Sequence, residues 1–79
     1  MKPIFETPVE LIYTLFPETK RKCDISNVCS IIDKLACDTL VDNKILQDDN
    51  YICVPRVFYR FGSVDPSNPR CELIIREIE

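Results

Sequence analysis

Histidine is absent from this 79-residue chain, and glycine occurs once. Without histidine, Ser-His-Asp and Cys-His nucleophile schemes, Cys2His2 zinc fingers and histidine-ligated haem are excluded. A single glycine excludes a Gly-rich phosphate loop and a flexible Gly/Ser linker. No apolar run approaches the ~18 residues of a membrane-spanning helix. Lys2 is not followed by an apolar segment, because Glu6 and Glu10 interrupt it, so a secretory signal is not expected. The five cysteines, Cys23, Cys29, Cys37, Cys53 and Cys71, form no C-x-x-C pair, and their spacings of 6, 8, 16 and 18 fit no standard zinc pattern. A reduced, cytoplasmic setting is expected, with Cys29 and Cys71 acting as small buried hydrophobes.

The chain is 46% apolar and 29% charged, an ordinary globular balance. A domain this short buries only roughly 60% of its unfolded surface, so self-association is expected to add burial. The net charge of −3 has the wrong sign for attachment to nucleic acid by bulk charge. Any such role must use local basic patches or metal ions.

Residues 8–16, PVELIYTLF, are rich in strand formers. Val9, Leu11, Tyr13 and Leu15 share one face, and Glu10, Ile12, Thr14 and Phe16 the other. Apolar groups on both faces predict a central strand. Pro17 ends it, and a basic run, Lys20, Arg21 and Lys22, follows.

The segment from Asp24 to Asn43 predicts a helix capped by Asp24 or Ser26. At about 100° per residue, Ile25, Val28, Cys29, Ile32, Leu35, Ala36 and Leu40 form a core-facing stripe. Asn27, Lys34 and Asp38 lie together on the opposite side, with Ser30 and Asp24 beside them. Beyond the helix, Tyr51 to Phe61 reads as a strand broken or kinked at Pro55, GSVDPSNP as a turn, and Cys71 to Ile78 as a return strand. Residues 51–78 are thus expected to form a β-hairpin. The whole reads as one α+β domain over residues 1–79. One main helix packs on a small mixed sheet of about three strands, in the order β-α-β-β.

Four carboxylates flank the polar helix face: Asp24, Asp38, Asp48 and Asp49. Oxygen ligands from separate elements suit Mg2+, which keeps several waters and takes one or two carboxylates. Such clusters support metal-assisted phosphodiester hydrolysis. The plainer account is also open: Lys34 and Asp38 as an i,i+4 pair, Asp24 as a cap, Asp48 and Asp49 as a solvated turn. The basic run suits a DNA backbone. Arg56 and Arg60, four apart on one strand face, could extend it. Tyr51, Phe58, Tyr59 and Phe61 are expected to pack in the core or on the sheet.

The segment KRKCDISN…DKLACDTL…ILQDDNYI resembles the RusA family of Holliday-junction resolvases, common in phages and prophages. The family pattern is a basic run, Asp-x-Asp-Asn, Lys-x-x-x-Asp-x-Leu, and Asp-Asp about ten residues on. Asp24, Asn27, Lys34, Asp38, Leu40, Asp48 and Asp49 match it. PVELIYTLF and NPRCELII match the strands that precede and close it, so the likeness spans residues 8–79.

The resemblance implies a Mg2+-dependent endonuclease (Mn2+ an alternative) that resolves four-way DNA junctions as a homodimer. Asp24, Asp38 and Asp49 would be metal ligands, Lys34 would join them in catalysis, and the basic run Lys20, Arg21 and Lys22 with Asn27 would contact nucleic acid, to which the strand spacing adds Arg56 and Arg60 as candidates. It implies no small-molecule cofactor and no membrane, and a phage or prophage protein in the cytoplasm of a bacterial host. Ser26 stands where the family has its second aspartate. The interval from Asn27 to Lys34 is longer by about one helical turn. The family's N-terminal strand and helix have no counterpart before PVELIYTLF. The alternative is therefore a catalytically impaired RusA-like module that binds DNA or a host protein without cleavage.

Overall fold

A computed structural model describes residues 2–22 and 24–78. Cys23, one of the five cysteines, lies outside the described residues. The elements are β1 (Val9–Phe16), α1 (Ile25–Asp42), β2 (Arg56–Phe61) and β3 (Arg70–Glu77). They form a three-stranded mixed sheet in the order β2-β1-β3, packed by α1, as the sequence leads one to expect.

β1 is the central strand, and seven of its eight residues are buried. One face presents Val9, Leu11, Tyr13 and Leu15 to α1 and carries most of the core, joined by Cys29, Cys37, Leu46 and Val54. Removing a side chain such as Leu11, which is fully buried, costs about 2–5 kcal/mol in comparable cores, a large share of a small domain's stability.

The expected hairpin does not form. β2 runs parallel to β1, with Glu10 opposite Arg56 and Leu15 opposite Phe61. β3 runs antiparallel along the other edge, with Val9 opposite Glu77 and Phe16 opposite Arg70. The connecting segment, residues 62–69, crosses the C-terminal end of β1, where Gly62 N–H donates to Leu15 O at 2.8 Å and Asp65 N–H to Pro17 O at 2.8 Å. The strand with apolar residues on both faces takes the centre, and each partner strand covers one edge of it. β2 also starts later than expected. Residues 51–53 turn, with Cys53 and Val54 N–H both donating to Asn50 O, and Pro55, which lacks an N–H, precedes the ladder.

α1 starts where expected, capped by Asp24. Its buried side is rotated from the expected stripe. Leu35 is 64% exposed, whereas Cys37 is buried. Leu35 lies about 120° around the helix from Cys29. The row that faces the sheet is Cys29, Asp33 and Cys37, because Asp33 takes hydrogen bonds from the sheet. Tyr13 Oη donates to its Oδ1 at 2.7 Å, Tyr59 Oη to its Oδ2 at 3.3 Å, and Cys37 Sγ to its Oδ1 at 3.3 Å. The Tyr13 and Tyr59 rings meet edge-on, 5.8 Å apart. Burial, then the Asp33 carboxylate, pushes the Tyr13 phenol up and keeps it a donor. Burial likewise pushes the Cys37 thiol up to about 12.

Cys29 is fully buried, as expected, and Cys71 packs half-buried against the core. Among the described residues, no helix is long and apolar enough to cross a membrane.

Candidate nucleic-acid interface

Pro17 ends β1, and residues 17–22 lead to the N-terminus of α1 at the edge where the parallel strands β1 and β2 finish. In sheets built from β-α-β units, ligands collect at the carboxyl ends of the strands, next to helix N-termini. Here Lys20, Arg21 and Lys22 line a cleft of about 390 Å3 with Pro17, Ile25, Phe61 and Val64. All three cations are exposed, and Phe61 is 52% exposed. The cleft thus combines a run of positive charge with an apolar wall.

Asp24 is held by its neighbour. Its Oδ1 accepts from Ser26 N–H at 3.0 Å and from Ser26 Oγ at 2.7 Å. These bonds lower its carboxyl below the ordinary value. Ser26, which breaks the Asp-x-Asp pattern, thus serves the cap. Asn27, Lys34 and Asp38 are exposed on one side of α1, as expected. Lys34 and Asp38 make no ion pair with each other among the described residues. Asp48 is engaged in its own turn, accepting from Asp49 N–H at 2.7 Å and Asn50 Nδ2 at 3.1 Å. Asp49 is exposed, and its charge contributes to raising the Cys37 thiol.

Asp24 and Asp38 stand at opposite ends of α1. Fourteen helical steps at about 1.5 Å each put Asp24 and Asp38 roughly 20 Å apart along α1. Among the described residues there is no group of three or more acidic or cysteine side chains placed to hold a metal ion. Asp24 and Asp38 of a single chain therefore do not share one Mg2+.

Arg56 and Arg60 share one strand face, as expected, but they do not extend the basic run. They project from the side of the sheet away from α1, where Arg56 reaches Glu10 at 3.5 Å and Arg60 Nε donates to Thr14 Oγ1 at 2.7 Å. The aromatic residues divide. Tyr59 packs against the core, but Tyr51 is 80% exposed and Phe58 48%. Strand alternation explains Phe58, which shares the uncovered face with Arg56 and Arg60. Tyr51 sits in the turn before β2.

The residue that sequence reasoning missed is Asp33. A signal was there: it lies four residues from Cys29, at the edge of the expected apolar stripe, where a carboxylate that turns inward needs donors.

No protein-family model, curated protein or solved structure matches this chain.

Proposed function

We propose that this protein is a RusA-like module that binds branched DNA through backbone phosphates without cutting it. The observation that carries this reading is the cleft where Lys20, Arg21 and Lys22 gather beside Phe61 and the start of α1. Three adjacent cations neutralise phosphates locally, within about a Debye length of ~8 Å, on a chain whose net charge is −3. Phosphate contacts position a protein on DNA without reading its sequence. Binding is therefore steeply salt-dependent and sequence-tolerant. The absence of cleavage follows from Asp24 being committed to its cap and standing far along α1 from Asp38.

The module works as a homodimer in this reading. Ile31 and Leu35, 65% and 64% exposed and four residues apart, leave apolar surface on the outside of α1. Its setting is the bacterial cytoplasm, as a phage or prophage product.

A labelled synthetic four-way junction, run on a gel with and without Mg2+ or Mn2+, tests the proposal. A retarded band without cut products in either condition is expected. Metal-dependent cuts would restore the resolvase reading, which the exposed Asn27, Lys34 and Asp38 on one side of α1 favour. Converting Lys20, Arg21 and Lys22 to alanine together should weaken junction binding and flatten a log–log salt slope of about −3 by most of its value. Unchanged binding would make the basic run ordinary solvated surface.

A further inference from the structure

The second face of the sheet has no helix over it, yet its central residues are not bare. Glu10, Ile12 and Thr14 are buried although α1 lies on the other side of β1. Their cover comes from the two edge strands. Arg76 reaches the Glu10 carboxylate from β3 at 2.5 Å, and Arg56 reaches it from β2 at 3.5 Å. Arg60 lies over Thr14. Between these rows, Phe58 and Ile74 stand on either side of Ile12 and remain 48% and 43% exposed. A shallow cavity of about 300 Å3 runs along Ile12, Phe58, Arg60 and Arg76.

The charge on this face is segregated. Four of the chain's five arginines project from it: Arg56, Arg60, Arg70 and Arg76. Glu10 and Glu72 are the acids on the face, and Asp65 meets Arg70 at its rim at 2.6 Å. A net positive surface thus remains on a chain that is acidic as a whole. Glu10 is shared by two guanidinium groups, which leaves one positive charge unbalanced in that row. Arg60 has a hydroxyl partner rather than a carboxylate. On β2 the order is Arg56, Phe58, Arg60 on the same face, at intervals of about 6.6 Å. A ring between two guanidinium groups on a rigid strand offers a π-face for a base and cations for the flanking phosphates.

From this arrangement we infer that the face of the sheet opposite α1 is a platform for single-stranded nucleic acid. Phe58 takes a stacked base, and Arg56, Arg60 and Arg76 take the backbone. A duplex keeps its bases stacked on one another and gives Phe58 no partner. A second copy of the chain would bring one net positive face onto another, so charge complementarity selects an anionic polymer over self-stacking. The platform is separate from the basic cleft and shares with the preceding proposal only the class of ligand.

The test is fluorescence anisotropy of a short labelled oligothymidylate with the full chain. Unlabelled single strand, duplex and polyglutamate serve as competitors. Single strand should bind, with single strand the strongest competitor. Phe58→Leu keeps the apolar bulk and should weaken binding about 5- to 150-fold, the range seen when a stacking side chain is lost. Phe58→Tyr should bind as the parent does. Arg60→Gln should weaken binding and flatten the salt slope by about 0.7. Thermal melting of each variant checks the fold, and Phe58→Tyr retains the ring if Phe58→Leu proves unfolded.

The two proposals separate cleanly. Phe58→Leu should leave retention of the four-way junction by the basic cleft unchanged, and the triple alanine variant at Lys20, Arg21 and Lys22 should leave oligothymidylate binding unchanged. No binding of single strand, parental affinity in a folded Phe58→Leu protein, or reduced affinity in a folded Phe58→Tyr protein would overturn the platform. So would a duplex that competes as well as single strand. Stronger competition by polyglutamate would assign the face to an acidic polypeptide instead.

Discussion

The Tyr13 hydroxyl donates to Asp33 Oδ1 at 2.7 Å, joining the middle of β1 to the middle of α1. This contact turns the helix so that a carboxylate, and not Leu35, faces the sheet. Tyr59 and Cys37 supply Asp33 with its other donors. Among the described residues, no buried side-chain polar atom is left without a partner.

Tyr13→Phe should therefore destabilise the fold by about 1–3 kcal/mol, because a partly buried carboxylate loses its shortest donor. In a domain of this size each kcal/mol is worth ~4–8 °C of Tm. Tyr59→Phe should cost less, since its bond is longer, at 3.3 Å. Calorimetry of the two variants decides the matter. A larger loss for Tyr59→Phe would mean that Asp33 is not the organising acceptor described here.

Glu10 sets the acid limb of stability. The Arg76 hydrogen bond, helped by the charges of Arg76 and Arg56, holds its carboxyl below the ordinary value of 4.5. A carboxyl with a lowered folded-state value contributes fully above the unfolded value, and the contribution is lost as pH falls through the folded one. Asp24 and Asp65 act in the same sense, lowered from 3.8 chiefly by Ser26 and Arg70 respectively. Urea midpoints should thus hold steady near neutrality and drop below about pH 4.5. Glu10→Gln should lower the neutral plateau and shrink that drop. Parallel curves for parent and variant would remove Glu10 from the account.

Gly62 is required by close approach. A Cβ there would come within 2.5 Å of the Phe16 ring edge. The ring cannot easily retreat, since the Arg70 guanidinium lies over it, 4.0 Å from the centroid. Gly62→Ala should lower Tm. Adding Phe16→Leu should make the same alanine cheaper, a coupling that a double-mutant cycle measures directly. Additive losses would mean that the strain lies elsewhere.

Cys37 should be inert in the folded protein. It is buried, and its thiol is pushed up to about 12. Because the thiolate is the nucleophile, native protein treated with iodoacetamide at mildly alkaline pH should leave Cys37 unlabelled, and urea should expose it. Mass mapping of the peptides reads this out. Rapid native labelling would show that the α1–sheet interface opens readily.

The local pattern of residues determined a good deal. Apolar groups on both faces of Val9–Phe16 can be buried only in a central strand, and that strand is central. Asp24 followed by an apolar period of 3.6 marks a capped helix, and its polar side, Asn27, Lys34 and Asp38, faces solvent. The basic run was legible as three consecutive cations, and the structure gives it a cleft. Periodicity records which residues share a face, but not which strand edges pair. Residues 62–69 suit a hairpin loop or a crossing equally well, and only the hydrogen bonds to Leu15 and Pro17 at the end of β1 choose the crossing. That choice separates β2 from β3 and places arginines from both edges around Glu10. In the same way, spacing along the chain set Asp24, Asp38 and Asp49 in a suggestive order, while the straight rise of α1 kept the first two far apart. Hydrogen bonding across distant segments decided the register of the helix and the open face of the sheet, because those energies depend on partners that no local window contains.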